Sequence, residues 1–187
     1  MAIGYLPENG SLRTLFSISG PLGAIVNLSA IVLFLVWQYR VAKNLRTFDQ
    51  PGLEFTPGWC VGWWFVPIAM YWKPFQAMKE LWRASDPETI GAKDRWVWLG
   101  TPLAPTMGWW WAAWILSNVI QRIAGFVSKN GEPSTAAVLG IVGALVTGLA
   151  AHLLVPMMRE LAARQNASWA KLQARRSDQE HDGYRAA

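Results

Sequence analysis

Long apolar runs alternate with short polar segments along the chain, and the first run occupies residues 17–38. It holds 22 residues without a charge, and at ~1.5 Å per residue such a helix crosses a bilayer core of ~30 Å. A cleaved signal peptide has a shorter apolar region of about 7–15 residues, whereas this run ends in "WQYRVAKN". The pattern predicts a retained transmembrane helix over about residues 17–40, preceded by a cytoplasmic lead of residues 1–16.

The second run, "GWCVGWWFVPIAMYW", is short for a crossing and continues into a pattern of helical period. If Lys73 snorkels to the interface, a helix from Gly58 to about Ala77 reaches ~30 Å, and the whole second helix is predicted over residues 58–82. Pro67 is expected to kink this helix, because proline removes a backbone donor. Its second half is predicted to leave the membrane as an amphipathic interfacial helix, because apolar side chains recur on one face: Tyr71, Phe75, Met78 and Trp82.

Two further apolar runs complete the predicted membrane domain. Prolines make the start of the third run irregular, so its helix is expected over about residues 106–126, and a fourth, uncharged run predicts a helix over 135–158. The basic tail, residues 159–187, has the polar composition of a largely disordered segment. The expected fold is therefore an all-α integral membrane protein with four transmembrane helices within residues 17–158.

Composition and charge support a membrane location. Hydrophobic residues make up 52% of the chain and charged residues 16%, against roughly 25% in soluble domains. The net charge of +5 comes from short flanks between apolar runs, which indicates contact with anionic headgroups rather than nucleic acid. With four crossings, the excess of Lys and Arg on one side predicts that both termini are cytoplasmic.

Small and polar residues in the apolar runs suggest how the helices pack. Gly140, Ala144 and Gly148 recur every fourth residue, a spacing that lets another helix of this chain or of a partner approach closely. His152 continues this line and is a candidate haem ligand, although a neutral, hydrogen-bonded role is favoured. Asn27 and Asn118 are expected to form interhelical hydrogen bonds.

The chemistry-bearing residues form no catalytic or metal-binding motif. Cys60 is the single cysteine, and its apolar neighbours indicate a packing role. We therefore predict no catalytic residue, no metal and no cofactor. The residues expected to contact lipid or a partner are aromatic and basic: Trp63, Trp64, Trp72, Lys73, Lys79, Trp82 and Arg83.

The segment "TPGWCVGWWFVPIAMYWKPFQAMKELWRAS", residues 56–85, resembles the signature of a bacterial membrane family, domain of unknown function number 4328. The similarity includes a proline-glycine-tryptophan entry, a tryptophan pair before a Phe-x-Pro step, and a Lys-Pro-aromatic-Gln step into "ELWRAS". Further likeness in "WQYRVAKNLR", "GWWWAAWILSN" and "RELAARQ" extends it over about residues 15–166. The resemblance implies a multi-pass membrane protein and supplies no activity.

These features favour a non-enzymatic membrane protein that acts as an accessory or scaffolding subunit. Its expected partners are anionic lipids and other membrane subunits or a second copy of the chain. Two alternatives stay open: a small-molecule or ion conduit, and a pigment-, quinone- or haem-binding subunit built on the tryptophans and His152.

Overall fold

The computed structural model describes the backbone of residues 10–186 and the side chains of residues 22–132, 134–179 and 181. The described residues form helices and turns without a strand. Two 3-10 turns, Trp63–Phe65 and Ala69–Tyr71, lie between α2 and α3. The helices are α1 (Gly10–Thr47), α2 (Pro57–Gly62), α3 (Lys73–Ala84), α4 (Arg95–Leu99), α5 (Met107–Lys129) and α6 (Pro133–Ala186).

Residue contacts divide the chain into two units after Gln38, within α1. In the first unit the apolar side chains of α1 are largely exposed, and Phe34 and Trp37 pack with ring centroids 5.8 Å apart. The last turns of α1, from Tyr39 to Thr47, belong to the second unit. Because α1 continues past the apolar run without interruption, it supplies an exposed apolar segment to the first unit and a packing element to the second.

Helices α5 and α6 form an antiparallel hairpin, joined by three residues, Asn130–Glu132. Pro133 begins α6, where a proline costs no hydrogen bond. The two helices approach closely at Gly143, where an added Cβ would lie 3.0 Å from Cγ of Gln121 and 3.3 Å from Cγ2 of Ile120. Beside this glycine, Gln121 Nε2 donates to Thr147 Oγ1 at 3.2 Å.

The rest of the second unit forms a region that we call the headpiece, residues 39–56, 73–104 and 157–175. Its core is apolar and includes Leu45, Met78, Leu81, Trp98 and Leu161, each at most 1% exposed. Burial of such side chains contributes roughly 1.5–3 kcal/mol each. Long-range hydrogen bonds from buried polar side chains then fix how its segments meet.

The predicted helix over residues 58–82 is wrong, because the segment is divided into α2, two 3-10 turns and α3. Val66, which precedes Pro67, is extended at φ −87° and ψ 113°, the conformation that a following proline favours. Ile68 then adopts φ 68°, a left-handed conformation that β-branched residues rarely tolerate. The proline therefore ends the helix rather than kinking it.

Among the described residues, two helices are long and apolar enough to cross a membrane, where four were predicted. These spans are Leu22–Thr47 and Ser134–Gln179, within α1 and α6. The predicted disordered tail is also wrong, because α6 continues through Ala186, and helix one is longer than predicted at both ends. Residues 1–9 of the predicted lead lie outside the described residues. The start of α5 at Met107 agrees with the sequence prediction.

The close approach at Gly143 makes a direct prediction. Gly143→Leu is expected to lower the free energy of unfolding by about 1–2 kcal/mol, because the new side chain overlaps Gln121 and Ile120. Gly140→Leu is the matched control, since a Cβ at Gly140 meets no atom within 4 Å. Thermal unfolding in maltoside micelles compares the two variants. Equal melting temperatures would contradict the α5–α6 packing.

Candidate functional site

Glu80, near the middle of α3, anchors the loop that precedes α2. Its Oε2 accepts from the backbone N–H of Glu54 at 2.7 Å, and its Oε1 accepts from that of Phe55 at 3.0 Å. Arg46 donates to the carbonyl oxygens of Leu53 and Phe55 at 3.5 and 3.3 Å. The loop is thus held by side chains of α1 and α3, which places Glu54 and Phe55 at one wall of a cleft.

The cleft lies between α3, α4 and this loop and has a volume of about 300 Å³. Four basic side chains line it, three from α3 and one from α4: Lys73, Lys79, Arg83 and Arg95. Glu54 and Glu80 also line it, together with Gln76 and the apolar side chains of Phe55, Trp98 and Leu99. With both carboxylates ionised, the lining carries two positive charges in excess.

Aromatic rings position three of these cations. Lys73 Nζ lies 5.5 Å from the ring centroid of Phe55 and 5.6 Å from that of Trp63, and Lys79 Nζ lies 5.0 Å from Phe75. The Arg95 guanidinium carbon lies 5.9 Å from Trp98. Such contacts orient a cation without consuming its hydrogen-bond donors.

The fourth cation, Arg83, donates one hydrogen bond within the described residues, from Nε to the carbonyl oxygen of Thr101 at 3.1 Å. That oxygen belongs to a well-fixed residue, because Thr101 Oγ1 donates to Asp86 Oδ2 at 3.0 Å. The Nε side of the guanidinium is therefore anchored, and its two terminal nitrogens are available as hydrogen-bond donors in the cleft.

The carboxylates of the cleft do not neutralise its cations. Within the described residues, the two ion pairs closer than 4.0 Å are Arg164–Glu160 and Lys171–Glu88, neither of which lies in the cleft. Burial raises the pKa of Glu80, while the N–H groups of Phe55 and Glu54 and the charge of Arg95 act in the opposite direction. The arrangement can therefore attract an anionic group from outside the chain.

Gly52 sets the position of Arg95. It has φ 67°, and a Cβ there would lie 2.7 Å from Cβ of Arg95, a distance that requires a shift. Nearby, Trp98 Nε1 donates to the carbonyl oxygen of Pro51 at 2.9 Å, which joins α4 to the same loop. Glycine is thus required for both its backbone conformation and its lack of a side chain.

We expect Gly52→Ala to lower the free energy of unfolding by about 1–2 kcal/mol and to displace α4. Gly131→Ala is the matched control, because Gly131 has φ 87° but no atom within 4 Å of the added Cβ. The Gly131→Ala variant therefore introduces the backbone strain of a positive φ without a steric clash of the new Cβ. Urea unfolding followed by tryptophan fluorescence measures both variants, and a Gly52→Ala effect no larger than that of Gly131→Ala would refute the contact.

The structure brings three of the seven predicted contact residues to the cleft, namely Lys73, Lys79 and Arg83. Lys79 lies over the ring of Phe75, one turn away on α3, in a cation–π contact. The sequence did not predict Arg95 as a contact residue, because it lies twelve residues beyond Arg83 and only the fold brings α4 next to α3. The Asp-Arg-Trp sequence at the start of α4 was the available signal.

The predicted contact tryptophans have different environments. Trp72 is exposed, while Trp63 and Trp64 are half-buried, and Trp63 packs on Trp59 at 4.7 Å. Trp82 is buried, donates from Nε1 to the carbonyl oxygen of Pro102 at 3.1 Å, and is covered by the Arg164 guanidinium at 4.2 Å. Trp82 therefore packs within the headpiece and offers little surface to lipid.

Trp64 instead joins an aromatic cluster on α5. Its ring centroid lies 5.9 Å from that of Trp111 and 5.3 Å from that of Trp114, both edge-on. Phe75 stacks on Trp111 at 5.4 Å and Trp111 on Trp114 at 4.8 Å. Trp111 and Trp114 of α5 thus belong to an internal packing cluster, whereas Trp109 is exposed.

The predicted packing residues of helix four lie away from α5. Ala144 and Gly148 are exposed, and Gly140 and Gly148 have no atom within 4 Å of an added Cβ. The contact face is instead marked by Gly143, Thr147 and Ala150. Small residues occur on both faces, so the four-residue spacing could not identify the correct one.

Within the described part of the chain, Asn27, Asn118 and His152 form no interhelical hydrogen bond. Asn118 Nδ2 donates to the carbonyl oxygen of Trp114 at 2.7 Å, within its own helix. Asn27 and His152 are exposed. The expectation that these asparagines join helices of one chain is therefore wrong for Asn118.

Cys60 has the predicted packing role, since it is fully buried. Burial raises the pKa of the Cys60 thiol to about 12, with a smaller contribution from the charge of Glu80. Among the described residues, no group of three or more His, Cys, Asp and Glu side chains is placed to hold a metal ion.

Comparison with known proteins identifies one family. The description "Domain of unknown function (DUF4328)" matches residues 12–178, which span most of α1 through most of α6. No curated protein and no solved structure matches the chain.

Proposed function

The chain belongs to the DUF4328 family, and from the geometry of its own residues we propose that it is a non-enzymatic integral membrane protein of a bacterial inner membrane. In this role it is an accessory or scaffolding subunit. Its apolar helices lie in the bilayer beside lipid or a larger membrane complex, and its headpiece lies at the cytoplasmic surface.

The observation that carries the proposal is the exposed apolar surface of α1 and α6. On the first half of α6 the exposed side chains are Val138, Ile141, Val142, Leu145 and Leu149. Soluble proteins rarely expose continuous apolar surface of this extent, because contact with water is unfavourable. Lipid tails or apolar helices of another subunit would cover it. Helix α5 would accompany α6, since it adds its own exposed apolar residues to the hairpin.

The distribution of basic residues supports a cytoplasmic headpiece. Of the 17 Lys and Arg residues, all but Arg13, Arg122 and Lys129 fall within residues 39–104 and 159–187. Cytoplasmic segments near membrane helices are enriched in Lys and Arg. If the apolar run of α1 crosses the bilayer before the headpiece, the proposed topology would have the N-terminus on the opposite face. This proposed topology differs from the expectation that both termini are cytoplasmic. That expectation required the second predicted helix to cross the membrane.

The accessory role is supported by how the headpiece is built. Its buried polar side chains bond mostly to its own backbone, as Gln50 does to the carbonyl oxygens of Ala84 and Thr89 at 3.1 and 3.5 Å. These groups fix a shape, which is what a scaffold requires. In the line of Gly140, Ala144 and Gly148, Gly140 is half-buried and the other two are exposed, which leaves room for a neighbouring helix.

Native mass spectrometry of the protein extracted from its membrane with a mild detergent tests this proposal. We expect particles that retain anionic phospholipid, a second subunit in fixed stoichiometry, or both. Recovery of the chain in the soluble fraction, or as a bare monomer from the membrane, would contradict the proposed function.

A further inference from the structure

We propose that the cleft between α3, α4 and the loop before α2 is a binding site for a phosphate group, supplied by the headgroup of an anionic phospholipid. The inference deepens the proposed function, because a lipid source requires the headpiece to lie at a membrane surface. The phosphate chemistry itself follows from the cleft and can be tested without a membrane.

The first step of the argument is the surplus of unpaired positive charge. Lys73, Lys79, Arg83 and Arg95 line a cavity of about 300 Å³, at the lower end of the range for ligand pockets, about 300–1,000 Å³. The only carboxylates in the lining are Glu54 and Glu80. Within the described residues neither forms an ion pair closer than 4.0 Å. Bringing four cations together without such pairs is costly unless an anion joins them.

The second step concerns Glu80, the acidic group that could neutralise the cleft. Both of its oxygens already accept backbone N–H groups, those of Glu54 and Phe55. Glu80 is 8% exposed, and it lines the cavity with both carboxylate oxygens already engaged by the loop. Its role is to hold the loop, and the cations are left without an internal counter-ion at hydrogen-bonding distance.

The third step concerns Arg95, whose Nε is buried and has no hydrogen-bond partner within the described residues. A buried donor without a partner costs about 1–3 kcal/mol in a folded protein. Gly52 and the ring of Trp98 fix the position of this arginine. An acceptor entering the cleft would satisfy the buried Nε–H, and a planar guanidinium suits two oxygens of one phosphate.

The fourth step is the geometry of the remaining donors. Lys73 and Lys79 rest against aromatic rings, and Arg83 uses only its Nε in a bond to Thr101. Their ammonium and terminal guanidinium N–H groups therefore remain for a ligand. A phosphate group presents several acceptor oxygens to donors from different directions, whereas a carboxylate presents two in one plane. Four cations arranged around one cavity fit phosphate better.

The apolar surroundings favour a lipid over a free ion as the source. Trp96 and Val97, which follow Arg95 on α4, are 76% and 53% exposed, and Trp72, which precedes Lys73, is 45% exposed. Tryptophan at such positions is typical of membrane interfaces. A lipid whose phosphate enters the cleft would place its acyl chains beside these side chains.

The test uses the full-length protein in maltoside micelles and titrates it with two probes, dioctanoyl phosphatidic acid and inorganic phosphate, by isothermal calorimetry. We expect phosphatidic acid to bind and zwitterionic dioctanoyl phosphatidylcholine to bind at least about tenfold more weakly, because it lacks net charge. The variants Lys79→Gln and Arg95→Gln should each weaken binding of phosphatidic acid by about tenfold. Arg95→Lys, which keeps the charge but lacks Nε–H, should lose part of this affinity.

Matched controls are Lys93→Gln and Arg176→Gln, which remove exposed basic residues outside the cleft and should leave affinity unchanged. Circular dichroism and thermal unfolding verify that each variant is folded. If Arg95→Gln does not fold, the affinity of Arg95→Lys for phosphatidic acid still tests the role of Arg95. Binding of inorganic phosphate as tight as that of phosphatidic acid, lost in the cleft variants, supports a phosphate site and overturns its lipid source.

Absence of binding by both probes, or equal loss in the cleft and control variants, would overturn the phosphate site. These outcomes are separable from failure of the proposed function. Micelle binding does not depend on where the protein resides, and membrane extraction does not depend on the cleft.

Discussion

Gln165→Ala is expected to lower the free energy of unfolding of the headpiece by about 3–4 kcal/mol. Gln165 is 5% exposed and lies on α6 opposite α1 and the end of α3. Its Nε2 donates to the carbonyl oxygen of Val41 at 3.0 Å and to Ser85 Oγ at 3.1 Å. Its Oε1 accepts from Asn44 Nδ2 at 2.9 Å. The truncation leaves a cavity and removes partners from buried polar groups, which together cost this amount.

Urea unfolding in maltoside micelles, followed by tryptophan fluorescence, measures the change. Gln165→Leu separates the two causes, because leucine fills much of the volume but cannot make the three bonds, and it should retain most of the loss. Gln173→Ala, at an exposed position of the same helix, should change stability by less than about 0.5 kcal/mol. A Gln165→Leu variant as stable as the wild type would show that these bonds do not hold the headpiece together.

Glu80→Gln is expected to lower the free energy of unfolding by about 2–3 kcal/mol and to loosen the loop before α2. An amide can present an oxygen to only one of the two N–H groups, of Glu54 and Phe55, that the carboxylate now receives. The other N–H then faces the amide nitrogen and stays unpaired in a buried place. Hydrogen exchange should increase at the amides of residues 54 and 55, and it should stay unchanged in α5.

The pH dependence of this difference follows from the raised pKa of Glu80, which burial causes. A carboxyl group with a folded-state pKa above its unfolded value binds more protons when folded, so its contribution to stability falls as pH rises through that interval. The advantage of wild type over Glu80→Gln should therefore be largest at and below pH 4.5, the ordinary value, and should decrease as pH rises through the raised pKa. An advantage that grows with pH would contradict the burial of this carboxyl.

Glu160→Gln is the control for both Glu80 experiments. Glu160 lies on the surface of α6, with its side chain 54% exposed and paired to Arg164 one turn away. Surface pairs of this kind contribute little. Its substitution should alter neither the loop exchange nor the pH profile, which distinguishes the buried carboxylate from removal of any negative charge.

The long uncharged runs of the sequence correctly predicted helices. These are the helices that make the fewest specific contacts in the structure. The run at residues 17–38 falls within α1, and the proline-rich approach to the third run correctly delayed the start of α5 to Met107. These features depend on length and local backbone chemistry, which a sequence states directly. Local backbone chemistry also explains the break in the helix at Pro67. The residue before this proline, Val66, is extended, and the residue after it, Ile68, has a positive φ, so the helix ends there. The sequence nevertheless predicts a membrane-crossing helix over residues 58–82, because the aromatic content of this segment is typical of a membrane segment.

The headpiece was not predictable because distant polar residues hold it together. Leu161, Gln165 and Ser168 bury one face of α6 at helical spacing, but two of the three are polar and gave no hydrophobic period. Gln165 bonds to Val41, 124 residues earlier. The tail therefore had the composition of a disordered segment while forming part of a core. For the cleft, the sequence supplied Lys73, Lys79 and Arg83, and the fold added Arg95.

The most direct test of the account is the membrane topology, read with single cysteines. Native Cys60 gives a low background, because it is fully buried and its thiol pKa is raised to about 12. New cysteines are placed at Asn130, between α5 and α6, and at Lys93 in the headpiece, both exposed positions. Spheroplasts of the expressing bacterium are treated with a membrane-impermeant maleimide, and denatured samples confirm that both thiols react.

We predict that Asn130→Cys is labelled in intact spheroplasts and that Lys93→Cys is labelled only after the membrane is disrupted. This result would place the α5–α6 connection and the headpiece on opposite faces of the membrane, with the headpiece in the cytoplasm. Labelling of both cysteines in intact spheroplasts, or of neither, would place them on one face and contradict the account.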